Sequence, residues 1–213
     1  MRTFKQFLGE AEAPQDARAF FEKESHPFIE KADGAGVFLR ALKHEPTHYA
    51  TITLPSGREV SVGRDPVSKD RKPVDLDSRI HTVTDEWMDW KFGIRGRSQT
   101  AFVVGDAAIR QIQHYGQVYI AVPQGEFKFL WSSESADLLA YANANDLDER
   151  IEGKSDEEAG TIIRSDLNRA NYRAIQLPRA IRSWNEIMVE CDHMLMIKME
   201  DEDMLKEIKA VLK

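Results

Sequence analysis

The chain of 213 residues holds a single cysteine, Cys191. No disulfide can form within it, and no cysteine-rich zinc site can be built. Cys191 stands in an apolar run, which predicts a small buried thiol rather than a nucleophile. Long hydrophobic stretches are also missing. None approaches the roughly 18 continuous apolar residues of a membrane span, and the N-terminus has no apolar centre of a secretory signal, so neither membrane insertion nor export by that route is expected. Excess positive charge is absent too: the net charge is −7 and the pI about 5.4, which excludes a general nucleic-acid binder, because phosphate neutralisation needs a basic surface. The short basic clusters Lys69, Arg71 and Lys72, and Arg95 and Arg97, are expected to be solvated surface. There is no Gly-rich phosphate loop before a helix and no Gly-x-Ser-x-Gly turn. His44, His48, His81, His114 and His193 lack zinc-ligand spacing. Kinase, serine hydrolase and metal hydrolase readings therefore lack support, and no metal is expected.

What is present is enough apolar material to fold, with 42% hydrophobic and 9% aromatic residues. The length suits one ordinary domain with terminal extensions. Residues 1–14 read as a short amphipathic tag, with Phe4, Phe7 and Leu8 at helical spacing, and a linker; residues 15–213 read as one α+β domain. A helix is expected over 15–31, interrupted at Pro27. Strands follow at 37–42, 49–54 and 59–62, with Pro55-Ser-Gly57 as the hairpin turn between the last two. An irregular loop over 64–78 leads to a helix at 84–91 that ends on Gly93. A strand at 100–104, a helix at 106–115 and a strand at 118–122 imply a packed α/β layer. A further strand at 127–131 and helices at 136–144 and 155–172 follow, the last with Ser155 as N-cap and Glu158 three residues on. The run 187–197 predicts a buried strand pair around Cys191-Asp-His193, and 203–213 an amphipathic helix.

Three separated pieces resemble the elements of the mono-ADP-ribosyltransferases of the Arg-Ser-Glu type. Val37-Phe-Leu-Arg40-Ala resembles that family's opening strand, whose arginine contacts the NAD diphosphate; a guanidinium suits this because its planar fork offers two donors at once. The stretch from Arg97 to Gly105, with the helix to Tyr115 and the strand ending at Pro123, resembles the middle element. There the family carries Ser-Thr-Ser, whereas this chain has Val103, Val104 and Gly105, with Ser98 and Thr100 as the nearby hydroxyls. Trp184-Asn-Glu186-Ile-Met-Val resembles the late strand that bears the catalytic glutamate. Arginine modifiers carry Glu where Trp184 stands, which puts arginine as acceptor in doubt.

The resemblance covers roughly 37–198 and implies a split β-sandwich with flanking helices. It implies NAD as substrate, Glu186, Arg40, Ser98 and Thr100 as catalytic residues, and Arg40, Phe102 and Tyr115 in contact with NAD. A carboxylate that holds a ribose hydroxyl lowers the barrier by facing the positive charge built up as the nicotinamide bond breaks, and a hydroxyl would orient it. The readings left open are transfer of ADP-ribose to a host macromolecule, hydrolysis of NAD, and an inactive virion protein of the same fold.

The opening Met1-Arg-Thr-Phe-Lys-Gln-Phe-Leu-Gly-Glu10-Ala11 resembles the capsid-targeting peptides of internal head proteins in large tailed bacteriophages, in which a maturation protease cuts after Leu-x-Glu. Leu8-Gly-Glu10 matches that site. The resemblance implies docking to phage head proteins through residues 1–10, passage in the head interior and action on a host protein in the host cytoplasm.

Overall fold

The computed structural model describes residues 13–74 and 76–213; the amphipathic tag at residues 1–10 and its Leu8-Gly-Glu10 site lie outside them. The described chain is mixed α+β, built on one large mixed sheet. It begins with β1 (Gln15–Asp16), α1 (Ala17–Glu24) and α2 (His26–Ala32). The expected helix over 15–31 is thus two helices. Asp16 accepts from the Ala19 amide at 2.9 Å and starts the first. Ser25 closes it by donating to the Phe21 carbonyl at 2.8 Å, and Pro27 opens the second, where its missing N–H costs nothing.

Strands β2 (Phe38–Leu42), β3 (Thr47–Thr53) and β4 (Glu59–Pro66) follow. The hairpin at Pro55-Ser-Gly57 forms as expected, with Gly57 at φ 86°, a left-handed conformation that glycine adopts without steric cost. The strand after it runs four residues beyond the expected end and so takes Asp65 out of the irregular loop. Then come α3 (Ser78–Phe92), stopped by left-handed Gly93, and β5 (Ala101–Gly105). A 3-10 turn at Asp106–Ala108 and the single-turn α4 (Ile109–Ile112) replace the longer helix expected over 106–115. The chain must turn back at once into β6, and Gly116 packs there against the Leu42 carbonyl.

The remainder is β6 (Gln117–Pro123), β7 (Lys128–Ser132), α5 (Leu138–Ala144), α6 (Leu147–Ile151), α7 (Asp156–Arg169), β8 (Tyr172–Arg173), α8 (Leu177–Arg182), β9 (Ile187–Glu190), β10 (His193–Lys198) and α9 (Glu202–Val211). The Ser155–Glu158 capping box is present. The helix it starts ends earlier than expected, because Asn171 turns left-handed at φ 53° to feed β8.

The strand order is β1-β3-β4-β10-β6-β2-β5-β9-β7-β8. The apolar run 187–197 does yield two strands, yet they do not pair with each other. β9 lies between β5 and β7, and β10 between β4 and β6. Side chains alternate along the β5-β9-β7 part with the period of two that a pleated strand imposes. Ala101, Val103, Ile187, Val189, Phe129 and Trp131 join a large core with α1, α2, α8 and α9. Met188 and Leu130 join a second core under α3, α5, α6 and α7, and Phe102 packs against it.

β5 is the joint of the sheet. Its C-terminal end pairs with β2 (Phe38 with Gly105, Leu39 with Val104), and its N-terminal end pairs with β9 (Ala101 with Val189, Phe102 with Met188, Val103 with Ile187). Arg40 is the first β2 residue past its ladder with β5, and Glu186 immediately precedes the β9 ladder. Both stand where a strand parts from β5.

Candidate active site

A cleft of about 370 Å³ opens at this parting, lined among others by Arg40, Arg97, Phe102, Tyr115, Asp137 and Glu186 over a floor that includes Val103 and Val104. Its size lies within the range of small-molecule sites. Of the residues singled out from sequence, Arg40, Phe102, Tyr115 and Glu186 are brought together here. Ser98 and Thr100 are not among the lining residues. The Ser98 hydroxyl donates to the Asp85 carboxylate, and the Thr100 hydroxyl donates to the Gly96 carbonyl at 2.5 Å. Both hydroxyls serve the loop before β5 rather than the cleft.

That loop delivers a residue the sequence reading had assigned to solvent. Asp85 on α3, buried at 6% exposure, accepts from the Arg97 and Ser98 amides at 2.7 and 3.2 Å, and this anchor turns the Arg97 side chain inward. Arg97 Nη1 donates to Glu186 Oε1 at 3.3 Å, with the two side chains only 13% and 22% exposed. The orienting partner of Glu186 is therefore a guanidinium, where the resemblance implied a hydroxyl.

Arg71 is likewise turned inward, against the expectation of a solvated cluster. It donates to the Thr100 carbonyl, and its Cζ lies 4.0 Å from the centroid of the Phe102 ring, while Arg97 Cζ lies 4.4 Å from it. Each guanidinium gains from the ring quadrupole, by about 0.5–2 kcal/mol. Burial, with Arg40 and Arg97 close by, lowers Arg71 to about 10, so it remains a cation at neutral pH. Its neighbours Lys69 and Lys72 do form exposed pairs, with Asp192 and Asp70.

Arg40 is held from the other side. Its Nη1 donates to Asp65 Oδ2 at 2.7 Å, and His44 Nε2 lies 2.9 Å from the second oxygen of Asp65. Asp65 is itself 6% exposed, so the pair fixes the guanidinium at the cleft wall with its other donors free of that contact.

Glu186 is fixed through the backbone. Its amide donates to the Ala136 carbonyl at 2.6 Å, and the Asn185 amide nitrogen Nδ2 donates to the Ser132 carbonyl at 2.8 Å. Burial raises Glu186 from 4.5 to about 7, opposed by Arg97 and reinforced by Asp137. A carboxylate poised near neutrality in a cleft, beside cations, is the pattern of a functional group. Trp184, two residues before it, is 55% exposed.

The cleft thus combines an apolar floor, cationic side chains on its walls and two carboxylates, Glu186 and Asp137. It can hold a planar ring over the valines, an anionic group against the guanidiniums, and a developing positive charge at Glu186. Cys191 contributes nothing to it, since its buried thiol faces the His193 carbonyl at 3.2 Å. Among the described residues no three His, Cys, Asp or Glu side chains gather as a metal site, and no helix is long and apolar enough to cross a membrane. No family model matches the chain, and neither does any curated protein or solved structure.

Proposed function

We propose that the chain is a mono-ADP-ribosyltransferase, with the split β-sandwich and flanking helices of that family, that takes NAD as substrate and transfers ADP-ribose to a host macromolecule. The observation that carries the reading is that Arg40 and Glu186, from opposite ends of the fold's sequence, line one cleft at the two points where strands part from β5. Arg40 and Arg97 are suited to the diphosphate, because guanidiniums bind phosphate oxygens with paired donors. Glu186 faces the ribose carbon and stabilises positive charge there as the bond to nicotinamide breaks. Preorganisation is supplied by Asp65 on Arg40 and by the Ala136 carbonyl on the Glu186 backbone; these contacts stand before any substrate arrives. The resemblance of the first residues to capsid-targeting peptides supports carriage in a phage head and release into the host cytoplasm, where NAD and the acceptor are found.

A second reading, an inactive head-associated protein of the same fold, draws on one observation: Val103, Val104 and Gly105 form the cleft floor and the adjoining turn without a hydroxyl. The two readings separate on NAD itself. Calorimetry should detect NAD binding to the wild type, and nicotinamide release should fall roughly a hundredfold in Glu186→Gln, the scale of one preorganised electrostatic group, with binding nearly unchanged. A folded wild type that neither binds nor consumes NAD would leave only the structural role.

A further inference from the structure

The cleft holds a second carboxylate that the sequence motifs did not mark. Asp137 lines it together with Glu186. Two hydrogen bonds, from the Glu186 amide to the Ala136 carbonyl and from Asn185 to the Ser132 carbonyl, clamp the segment carrying Asp137 against the one carrying Glu186. Asp137 Oδ1 accepts from the Ala140 amide at 2.7 Å at the start of α5, which fixes the side chain and leaves the other oxygen without a backbone partner. Glu186 is paired with Arg97, whereas Asp137 has no ion-pair partner among the described residues. The two carboxylates of one cleft therefore stand in different settings, one neutralised by a guanidinium and one open, which is how paired carboxylates come to divide their work.

We propose that Asp137 is the acceptor-side base of the reaction, an inference that rests on the transferase reading above. The acceptor's nitrogen or oxygen forms its bond to the ribose C1′ as the C1′–nicotinamide bond breaks. The breaking pair goes to the nicotinamide nitrogen, which leaves neutral, and the acceptor's proton passes to the free Asp137 oxygen. Glu186 acts on the ribose and Asp137 on the incoming group. The acceptor is then a group that carries a proton to be removed, such as an amide, hydroxyl or guanidino group, and not one that arrives as an anion.

The test is Asp137→Asn, which preserves the helix cap, since asparagine caps as well as aspartate, and removes the base. Asp137→Ser, another capping residue, serves should the first melt early. Nicotinamide release with a protonated acceptor should fall about a hundredfold, with NAD affinity by calorimetry unchanged. Added azide, a nucleophile with no proton to lose, should restore release and yield ADP-ribosyl azide detectable by mass spectrometry. It should not restore Glu186→Gln. Wild-type rates in a folded Asp137→Asn, or a loss that azide does not relieve, overturn this inference and leave the transferase reading standing. A wild type inert toward NAD overturns both.

Discussion

Arg97 and Glu186, 89 positions apart in the chain, meet inside the cleft with Nη1 3.3 Å from Oε1. The Arg97 backbone amide donates to the Asp85 carboxylate, and the Arg97 guanidinium lies over the face of the Phe102 ring. Its Nε is buried without a partner in the protein. On the transferase reading proposed above, a substrate diphosphate would take up the guanidinium while the carboxylate turns to the ribose.

Arg97→Ala should leave Glu186 in the cleft without its counter-charge. We expect the pH at which activity is half-maximal to move upward, and stability at neutral pH to fall by about 1–3 kcal/mol, because removing one member of a sheltered pair strands the other. Arg97→Lys should restore much of the pH profile, because it keeps the counter-charge, and less of the stability, because an ammonium cannot reproduce the flat stacking on Phe102. A pH-rate profile with chemical denaturation decides it; an unmoved profile in Arg97→Ala would dissociate the pair from catalysis.

The pH dependence of stability carries its own sign. Because burial raises Glu186 from 4.5 to about 7, the folded state binds a proton that the unfolded state has lost between those values. This group's contribution is therefore fully present below pH 4.5 and lost as the pH rises through about 7, with a magnitude on the order of 3 kcal/mol. Activity, which needs the ionised form, should rise over the upper part of the same window. The stability of Glu186→Gln relative to wild type should become more favourable from pH 4 to pH 8, as read by melting at both; equal differences at the two pH values would contradict the assignment.

Gly105 ends β5 against α8, with ordinary extended backbone angles of φ −71° and ψ 161°. Its need is for space: a methyl group there would overlap the Ile181 carbonyl oxygen. Gly105→Ala should cost about 1–3 kcal/mol or more, as overpacking of a tight contact does. It should also weaken NAD binding, because the displaced strand carries Val103 and Val104. Denaturation and calorimetry on the same sample test the two effects, and a variant of unchanged stability would refute the close approach.

Cys191, with its thiol pushed up to about 12 by burial, should resist alkylation in the native protein at pH 8. It should react only on unfolding, since the thiolate is the nucleophile. Stoichiometric native-state labelling would show the site to be open.

Arg40, Phe102, Tyr115 and Glu186 were legible through the resemblance of short pieces to a known family, and not through periodicity, since the buried runs beside Arg40 and Glu186 do not alternate. Arg71, Arg97 and Asp65 were not. Each sits in a polar stretch that reads as solvated, and what turns it inward is a partner far along the chain: Thr100 and Phe102 for Arg71, Asp85 for Arg97, Arg40 for Asp65. Asp137 was hidden by a simpler role, since an aspartate before an apolar helix is an ordinary cap. The pairing of β9 and β10 failed for a related reason. An apolar run records burial but not the identity of its neighbours, and a tight Cys191-Asp-His193 link looks the same whether the strands fold back on each other or cross to different parts of the sheet. The five-residue α6 is too short to show a helical period at all.

The position of β10 between β4 and β6 has a consequence for how the protein comes into being on the ribosome. Those two neighbours are synthesised long before it and must wait with a gap between them. β9, which carries Glu186 at its threshold, enters beside β5 equally late. The cleft thus has no assembled form while the chain is nascent. Non-local strand pairing of this kind closes slowly, so the cleft shared by Arg40 and Glu186 is completed only after synthesis has passed the last strands. During that interval the edges of β4 and β6, and of β5 and β7, stand open to wrong pairing.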